Sequence, residues 1–234
     1  LAAFVKEVCA KENLNDLDQS GLTELAKYAS RLVENRDELS LNFGRLADIV
    51  RESHSRSDKK ITAAEIREVL DDHNSSLLKE WLLEARKKNR VRINTTGEEI
   101  GVINALAVYK IGKSSFGMPY RLTVTSEAGD GSMQITDIEG KADMAGSIYK
   151  KAFGILTSCF KNKFSKNEAM RFNADIAFEQ TYSGSDGDSA SLATYCALIS
   201  SLADIPIRQQ YAVTGQISQK GEVGPIGGPS QKVE

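Results

Sequence analysis

Gly184-Ser-Asp-Gly-Asp-Ser189-Ala-Ser191 runs without a break into the apolar stretch Leu192 to Leu202. A polar, glycine-bearing loop opening on an apolar helix predicts a helix over 189–202 and places Ser189 at its amino end, where unpaired backbone N–H groups face outward. The same N–H groups can hold an oxyanion, so the position suits a nucleophilic hydroxyl. A serine here is equally suited to capping the helix, and the loop taken alone favours that plainer role. On either side, Asp175 to Gln180 and Gln210 to Val213 read as strands. This strand–loop–helix–strand order makes the second part of the chain an α/β module.

Further upstream, β-branched runs separated by glycines extend that module: Val102 to Tyr109, Arg121 to Ser126 and Met133 to Ile138, with a helix over Gly146 to Phe160. The expected sheet is mixed or mostly antiparallel. Before residue 90 the texture is helical. Leu22, Leu25, Ala26, Ala29, Leu32 and Val33 follow the spacing of an amphipathic helix, and Leu46, Ile49 and Val50 mark a second. After a polar loop from Glu52 to Lys60, Thr62-Ala-Ala-Glu65 forms a capping box for a helix carrying Ile66, Val69 and Leu70. A last stripe, Leu77, Leu78, Trp81, Leu82 and Ala85, ends in the basic cluster Arg86 to Arg90, which favours a helix carboxyl end. The expected organisation is α+β: an all-helical module over 1–90, a boundary near residues 89 to 97, and the α/β module over 97–234.

Composition narrows the chemistry. Net charge is −2, so no basic field recruits nucleic acid or an anionic membrane. No apolar run approaches the roughly 20 residues that span a bilayer. The opening Leu-Ala-Ala-Phe reads as the internal start of a longer chain. Cys9, Cys159 and Cys196 are few and scattered, which points to a reducing, cytoplasmic setting and to inert packing cysteines. The only histidines, His54 and His73, lie in the first third, so a Ser-His-Asp triad in the second module is improbable. Asp71-Asp72 beside His73 reads as a helix end rather than a metal site. Gly112-Lys113-Ser114 resembles the end of a phosphate loop, but Ala107 replaces the earlier glycine and Ser115-Phe-Gly-Met-Pro119 does not open a helix.

Two further segments shift the reading of Ser189. Tyr211-Ala-Val-Thr214-Gly215 is a strand ending in glycine, and Gly221-Glu-Val-Gly-Pro-Ile-Gly-Gly228 leads to Lys232. With Asp186-Gly187-Asp188-Ser189-Ala190, these resemble the Lon protease family: an acidic-Gly-x-Ser-Ala loop, a strand ending in Thr-Gly, then Gly-x-Val-x-x-Ile-Gly-Gly-x-x-x-Lys. Ser189 and Lys232 stand 43 residues apart, the family's spacing. Glu99 to Val108, Ser115-Phe-Gly-Met-Pro119 and Phe178-Glu-Gln-Thr-Tyr182 resemble the B-type and related bacterial branch. Residues 1–90 are similar, more loosely, to the α-helical lid of an AAA+ ATPase, where Arg45 is the one candidate for a nucleotide-sensing arginine.

The resemblance implies the Lon proteolytic fold, shared with the second domain of ribosomal protein S5. It also implies a Ser-Lys dyad, with Ser189 as nucleophile and Lys232 as general base. A lysine can act so only when burial lowers its pKa toward neutrality, because desolvation disfavours the ammonium. Thr214 would orient the lysine, and the N–H of Ser189 with that of Gly187 or Asp188 would form the oxyanion hole. Asp186 would be a latch that occupies this hole at rest. Asp188 stands where the commonest members have proline, and Gln216 replaces a frequent acid. The family further implies an ATP-dependent serine endopeptidase of the endopeptidase La type, working as a homo-hexamer on unfolded or damaged proteins. It implies ATP and magnesium in an upstream ATPase, no cofactor or metal in these residues, no nucleic acid and no membrane segment, and more helices and strands beyond Lys232. The competing readings are a catalytically silent ring subunit that binds unfolded polypeptide, and a nucleic-acid module.

Overall fold

The computed structural model describes residues 1–73, 93–111, 114–179 and 186–233. The stripe Leu77 to Ala85 with Trp81, the cluster Arg86 to Arg90, residues 89–92 of the expected boundary, Gly112-Lys113 and residues 180–185 lie outside the described residues. The chain divides into two compact units, each with its own apolar core.

The first unit is helical: α1 (Ala2–Glu12), α2 (Gln19–Val33), α3 (Phe43–His54) and α4, described over 63–73. Asp18 caps α2 by accepting the Gly21 N–H at 2.8 Å, and the stripe read from the sequence buries Leu25 and Ala29. Gly21 is required there, since a Cβ would stand 2.5 Å from the Ile61 carbonyl oxygen. The capping box forms as expected: Glu65 accepts from the Thr62 N–H at 2.7 Å, and Thr62 Oγ1 accepts from the Ala64 N–H at 3.2 Å. The loop expected from Glu52 begins later, because α3 continues to His54. Asp72 pairs with Arg56 at 2.8 Å and His73 Nε2 meets Glu52 at 2.6 Å. Among the described residues no cluster of three or more metal-ligating side chains occurs.

The second unit is built on a five-stranded mixed sheet in the order β4-β5-β3-β2-β7. Its strands are β2 (Val102–Ile111), β3 (Ser114–Ala128), β4 (Gln134–Asp137), β5 (Phe172–Phe178) and β7 (Ala212–Val213). β5 lies antiparallel to β3, with Val124 opposite Ile176, and parallel to β4. β7 lies parallel to β2, with Asn104 opposite Ala212. Two-stranded sheets β1 (Glu98–Glu99) with β6 (Ile207–Arg208) and β8 (Gln216–Ile217) with β9 (Val223–Gly224) complete it. The helices are α5 (Ile138–Lys141), α6 (Ser147–Phe164), α7 (Ser191–Ala203) and α8 (Pro229–Val233). The inward residues of β2, β3 and β5, among them Ile103, Leu122, Val124 and Ile176, pack with Leu156 and Phe160 of α6 and Ala193 and Leu198 of α7.

Several boundaries differ from the sequence reading. β3 is far longer than Arg121 to Ser126 and takes in Ser115-Phe-Gly-Met-Pro119. Pro119 within a strand conceals that extension from a propensity argument. Residues 189–190 form a turn, so α7 starts at Ser191 and not at Ser189. Among the described residues no helix is long and apolar enough to cross a membrane.

Candidate active site

The nucleophile candidate sits in the turn before α7. Ala190 is the residue at the cap position, with no side-chain cap bond, so the plain capping role weighed for Ser189 is not the one it fills. Ser191, quoted in the loop but given no role from sequence, is the residue that secures this turn. Its hydroxyl donates to the Asp188 carbonyl at 2.8 Å and accepts the Ile217 N–H at 3.0 Å. The Ser191 N–H also returns to Asp188, at 3.1 Å. Ser191 is 6% exposed and its hydroxyl is satisfied on both sides, which fixes the loop firmly.

Thr214 and Gly215 follow β7 and close on the same turn. The Gly215 N–H donates to the Ser189 carbonyl at 2.7 Å, and the Leu192 N–H donates to the Gly215 carbonyl at 3.0 Å. A side chain at Gly215 would make Leu192 shift, since a Cβ would lie 2.8 Å from Leu192 Cδ2 and 3.2 Å from its Cβ. Thr214 Oγ1 donates to the Ser189 carbonyl at 3.3 Å and accepts from Lys232 Nζ at 3.2 Å. One hydroxyl thus joins the serine turn to the lysine, and residues from three sequence motifs meet at a single point. Lys232 is half-buried near the end of α8.

Asp186, read from the family resemblance as a latch, joins the serine loop to α6. Its Oδ1 accepts the N–H groups of Ile148 and Tyr149, at 3.0 and 3.1 Å, and that of Gly187 at 3.0 Å. Those first two donors belong to the opening turn of α6, whose cap residue is Gly146 and therefore offers no side chain. The carboxylate caps α6 from another part of the chain. Gly146 leaves the space for it, since a Cβ would lie 2.4 Å from Asp186 Cγ. The Gly187 N–H is thereby engaged. Among the described residues, the N–H groups of Asp188 and Ser189 have no acceptor.

A pocket beside Ser189, of about 70 Å³, is lined by Ala107, Val108, Tyr120, Tyr149, Phe178, Asp186, Gly187 and Ala190. Of its aromatic walls the sequence motifs include only Phe178; Tyr120 and Tyr149 lie outside them. These walls come from β3, α6 and β5, and only the sheet order brings them together. Tyr120 and Tyr149 both pack on Phe178, with ring centroids 5.3 and 5.7 Å apart. Burial pushes both tyrosines above their ordinary pKa, so they line the pocket as neutral phenols. The Tyr149 hydroxyl donates to Asp137 at 3.0 Å. Behind Phe178 lies Glu139, which is 5% exposed and accepts the Phe178 N–H at 2.8 Å. Desolvation raises its pKa above the ordinary value, and the nearby Asp137 carboxylate adds to the rise.

The remaining candidates fall outside this cluster. Cys9 and Cys159 are buried, and burial raises the thiol pKa of Cys9 and Cys196, which suits inert packing residues. In the helical unit the Arg45 guanidinium lies 5.6 Å from the centre of the Tyr28 ring.

Residues 16–75 match the family described as the archaeal LonB AAA+ ATPase lid domain, and residues 73–234 match the Lon protease (S16) C-terminal proteolytic domain. The chain is 33% identical, over its whole length, to a putative Lon protease homolog of Haemophilus influenzae and covers 39% of that protein. It is 42% identical over 63% of its length to a putative Lon protease homolog of Escherichia coli, covering 25% of it. It is 33% identical over its whole length to the archaeal Lon protease of Thermococcus kodakarensis, covering 37% of it. The chain therefore spans less than half the length of these relatives. A proteolytic-domain match across more than half of the chain, joined to a lid match before it, shows that the chain belongs to the Lon protease family.

Proposed function

We propose that the chain cleaves peptide bonds with a Ser-Lys dyad, Ser189 as nucleophile and Lys232 as general base. The observation that supports this reading is the hydrogen-bond path from Lys232 Nζ through Thr214 Oγ1 to the Ser189 carbonyl. It ties the serine loop to a lysine 43 residues further on. Neutral Lys232 accepts the proton of Ser189 Oγ as that oxygen attacks the substrate carbonyl carbon. The N–H groups of Ser189 and Asp188 receive the negative charge that develops on the carbonyl oxygen. The protonated lysine then gives its proton to the leaving amine, the C–N bond breaks and an acyl ester remains on Ser189. Water, deprotonated by the same lysine, hydrolyses that ester. Thr214 holds the lysine in place, and in this role the hydroxyl moves no proton of its own.

In the full reading, residues 97–234 are the peptidase part of an ATP-dependent, cytoplasmic, homo-hexameric protease, and residues 1–90 its lid. The substrates are unfolded or damaged proteins, threaded as single chains. ATP and magnesium belong in this reading to an ATPase region outside these residues. Neutral aromatic walls beside Ser189 support a preference for a large apolar side chain just before the cleaved bond.

The test is covalent labelling of the full-length protein with a serine-reactive phosphonate, run beside ATP-dependent casein cleavage. Wild type is expected to label and to cleave, and both activities are expected to vanish in Ser189→Ala. Labelling that persists in that variant rejects the nucleophile. Casein cleavage by Lys232→Ala at the wild-type rate rejects the base. Binding of unfolded casein with neither labelling nor cleavage by wild type supports instead a silent ring subunit.

A further inference from the structure

The segment Ser115-Phe-Gly-Met-Pro119 has so far carried no role. Its central glycine, Gly117, lies under the backbone of α8. A Cβ built there would stand 1.9 Å from the Gln231 carbonyl oxygen, 2.6 Å from the Gln231 carbonyl carbon and 2.9 Å from Lys232 Cα. All three atoms are main chain, so no side-chain rotation relieves the overlap. The flanking Phe116 and Met118 are 7% and 5% exposed, which leaves β3 little freedom to retreat. Glycine inside a strand weakens it, and one common reason for keeping it is the close approach of another backbone.

The short α8 relies on contacts with other segments. It has five residues and buries none of them, and a helix that short has no stability of its own in water. Besides the Lys232–Thr214 bond, it is held by Gln231 Nε2 donating to Ser115 Oγ at 3.4 Å. At its start Gly228 adopts φ +64°, with the Lys232 N–H donating to the Gly228 carbonyl at 3.2 Å. Val108 of β2 shapes the same cradle, since a Cβ on Gly228 would press Val108 Cγ2 at 2.6 Å. The lysine's position is therefore set by the surface its helix rests on.

We propose that Gly117 is a positioning residue of the peptidase: its bare Cα is the seat that brings the α8 backbone, and with it Lys232, to Thr214 and the Ser189 turn. The inference rests on Lys232 being the general base. Replacing the glycine with alanine forces the Gln231 carbonyl back by about 1 Å, given that real Cβ atoms essentially never approach closer than 3.0 Å.

Gly117→Ala, Lys232→Ala and the control Gly154→Ala, all in the full-length protein, test this. Gly154 lies within α6 and its added Cβ meets no atom within 4 Å. Gly117→Ala is expected to lower kcat about a hundredfold, the scale of a 1 Å misplacement of a catalytic group, with KM within about twofold. The acid limb of its kcat–pH profile is expected at higher pH, because a lysine moved off Thr214 into water favours its ammonium form. Gly154→Ala is expected to keep the wild-type kcat and profile. A Gly117→Ala enzyme with wild-type kcat and an unshifted limb overturns the proposal. So does a lower Tm with kcat and profile intact, or failure to fold, because either makes the glycine a requirement of the fold alone. Wild-type activity in Lys232→Ala is a different result, and rejects the dyad rather than the seat.

Discussion

The cap that Asp186 places on α6 makes a sharp prediction, because two substitutions remove it with opposite effects on the helix. Asp186→Ala deletes a carboxylate oxygen that accepts three N–H groups at 3.0 to 3.1 Å. Loss of an N-cap carboxylate costs about 1 kcal/mol, and the exposure of Asp186 keeps the helix-dipole contribution at the low end of its range. For a unit of this size that is a fall of about 2–4 °C in Tm. The turn bearing Ser189 begins three residues later and loses its anchor on α6, so kcat is expected to fall about tenfold to a hundredfold. Gly146→Ser separates the two effects. Its hydroxyl caps α6 locally, while its Cβ, 2.4 Å from Asp186 Cγ, evicts the carboxylate. Tm within about a degree of wild type, with kcat as low as in Asp186→Ala, is the expected pattern. Asp186→Asn keeps an acceptor and restores most of both. Differential scanning fluorimetry and steady-state cleavage of a fluorogenic peptide read the two quantities. If Gly146→Ser is as active as wild type, the cap does not position the loop. If Asp186→Ala is more active than wild type, the carboxylate restrains the site as a latch, and the reasoning from the cap is wrong.

Three further outcomes are expected. Thr214→Ala removes the hydroxyl between Lys232 and the Ser189 carbonyl and should lower kcat about tenfold to a hundredfold, with Thr214→Ser recovering most of it in the same peptide assay. Ala107→Trp fills the pocket beside Ser189, so mass-spectrometric mapping of casein cuts should move from large apolar residues to small ones, by about tenfold in relative rate. Glu139 has its pKa raised by burial, so its contribution to stability is full below the ordinary glutamate range and is lost as pH rises through the raised value. Glu139→Gln keeps the acceptor for the Phe178 N–H, and its Tm should exceed that of wild type at neutral pH and converge with it in acid.

The sequence revealed the parts of the fold that repeat a pattern, and the parts of the site that are contiguous. The stripe in α2 and the capping box at Thr62 and Glu65 were readable because helix periodicity and cap chemistry are local. The serine loop and the glycines before Lys232 were readable as short contiguous motifs, although their contacts, Ser189 with Gly215 and Gly228 with Val108, are distant in the chain. The structure's corrections arise where the deciding contact is distant. Ser189 stands two residues before α7 rather than at its first position, since Ser191 is what closes the turn, through bonds to Asp188 and Ile217. Asp186 could not be assigned to α6 from sequence, because its donors at Ile148 and Tyr149 lie 38 and 37 residues earlier.

That division bears on how the site is built. Gly117 and Gly146 carry no reactive group, and each is occupied by an absence: one makes room for the α8 backbone, the other for the Asp186 carboxylate. A propensity argument treats both as defects, a glycine weakening a strand and a glycine failing to cap a helix. Each defect is offset by a segment from elsewhere that fills the gap, and those two segments carry Lys232 and the turn of Ser189. The two candidate catalytic groups are thus held by the same device on neighbouring parts of one unit. Any side chain added at either glycine should act first on catalytic geometry, and the variants at 117 and 146 examine this independently for the base and for the nucleophile.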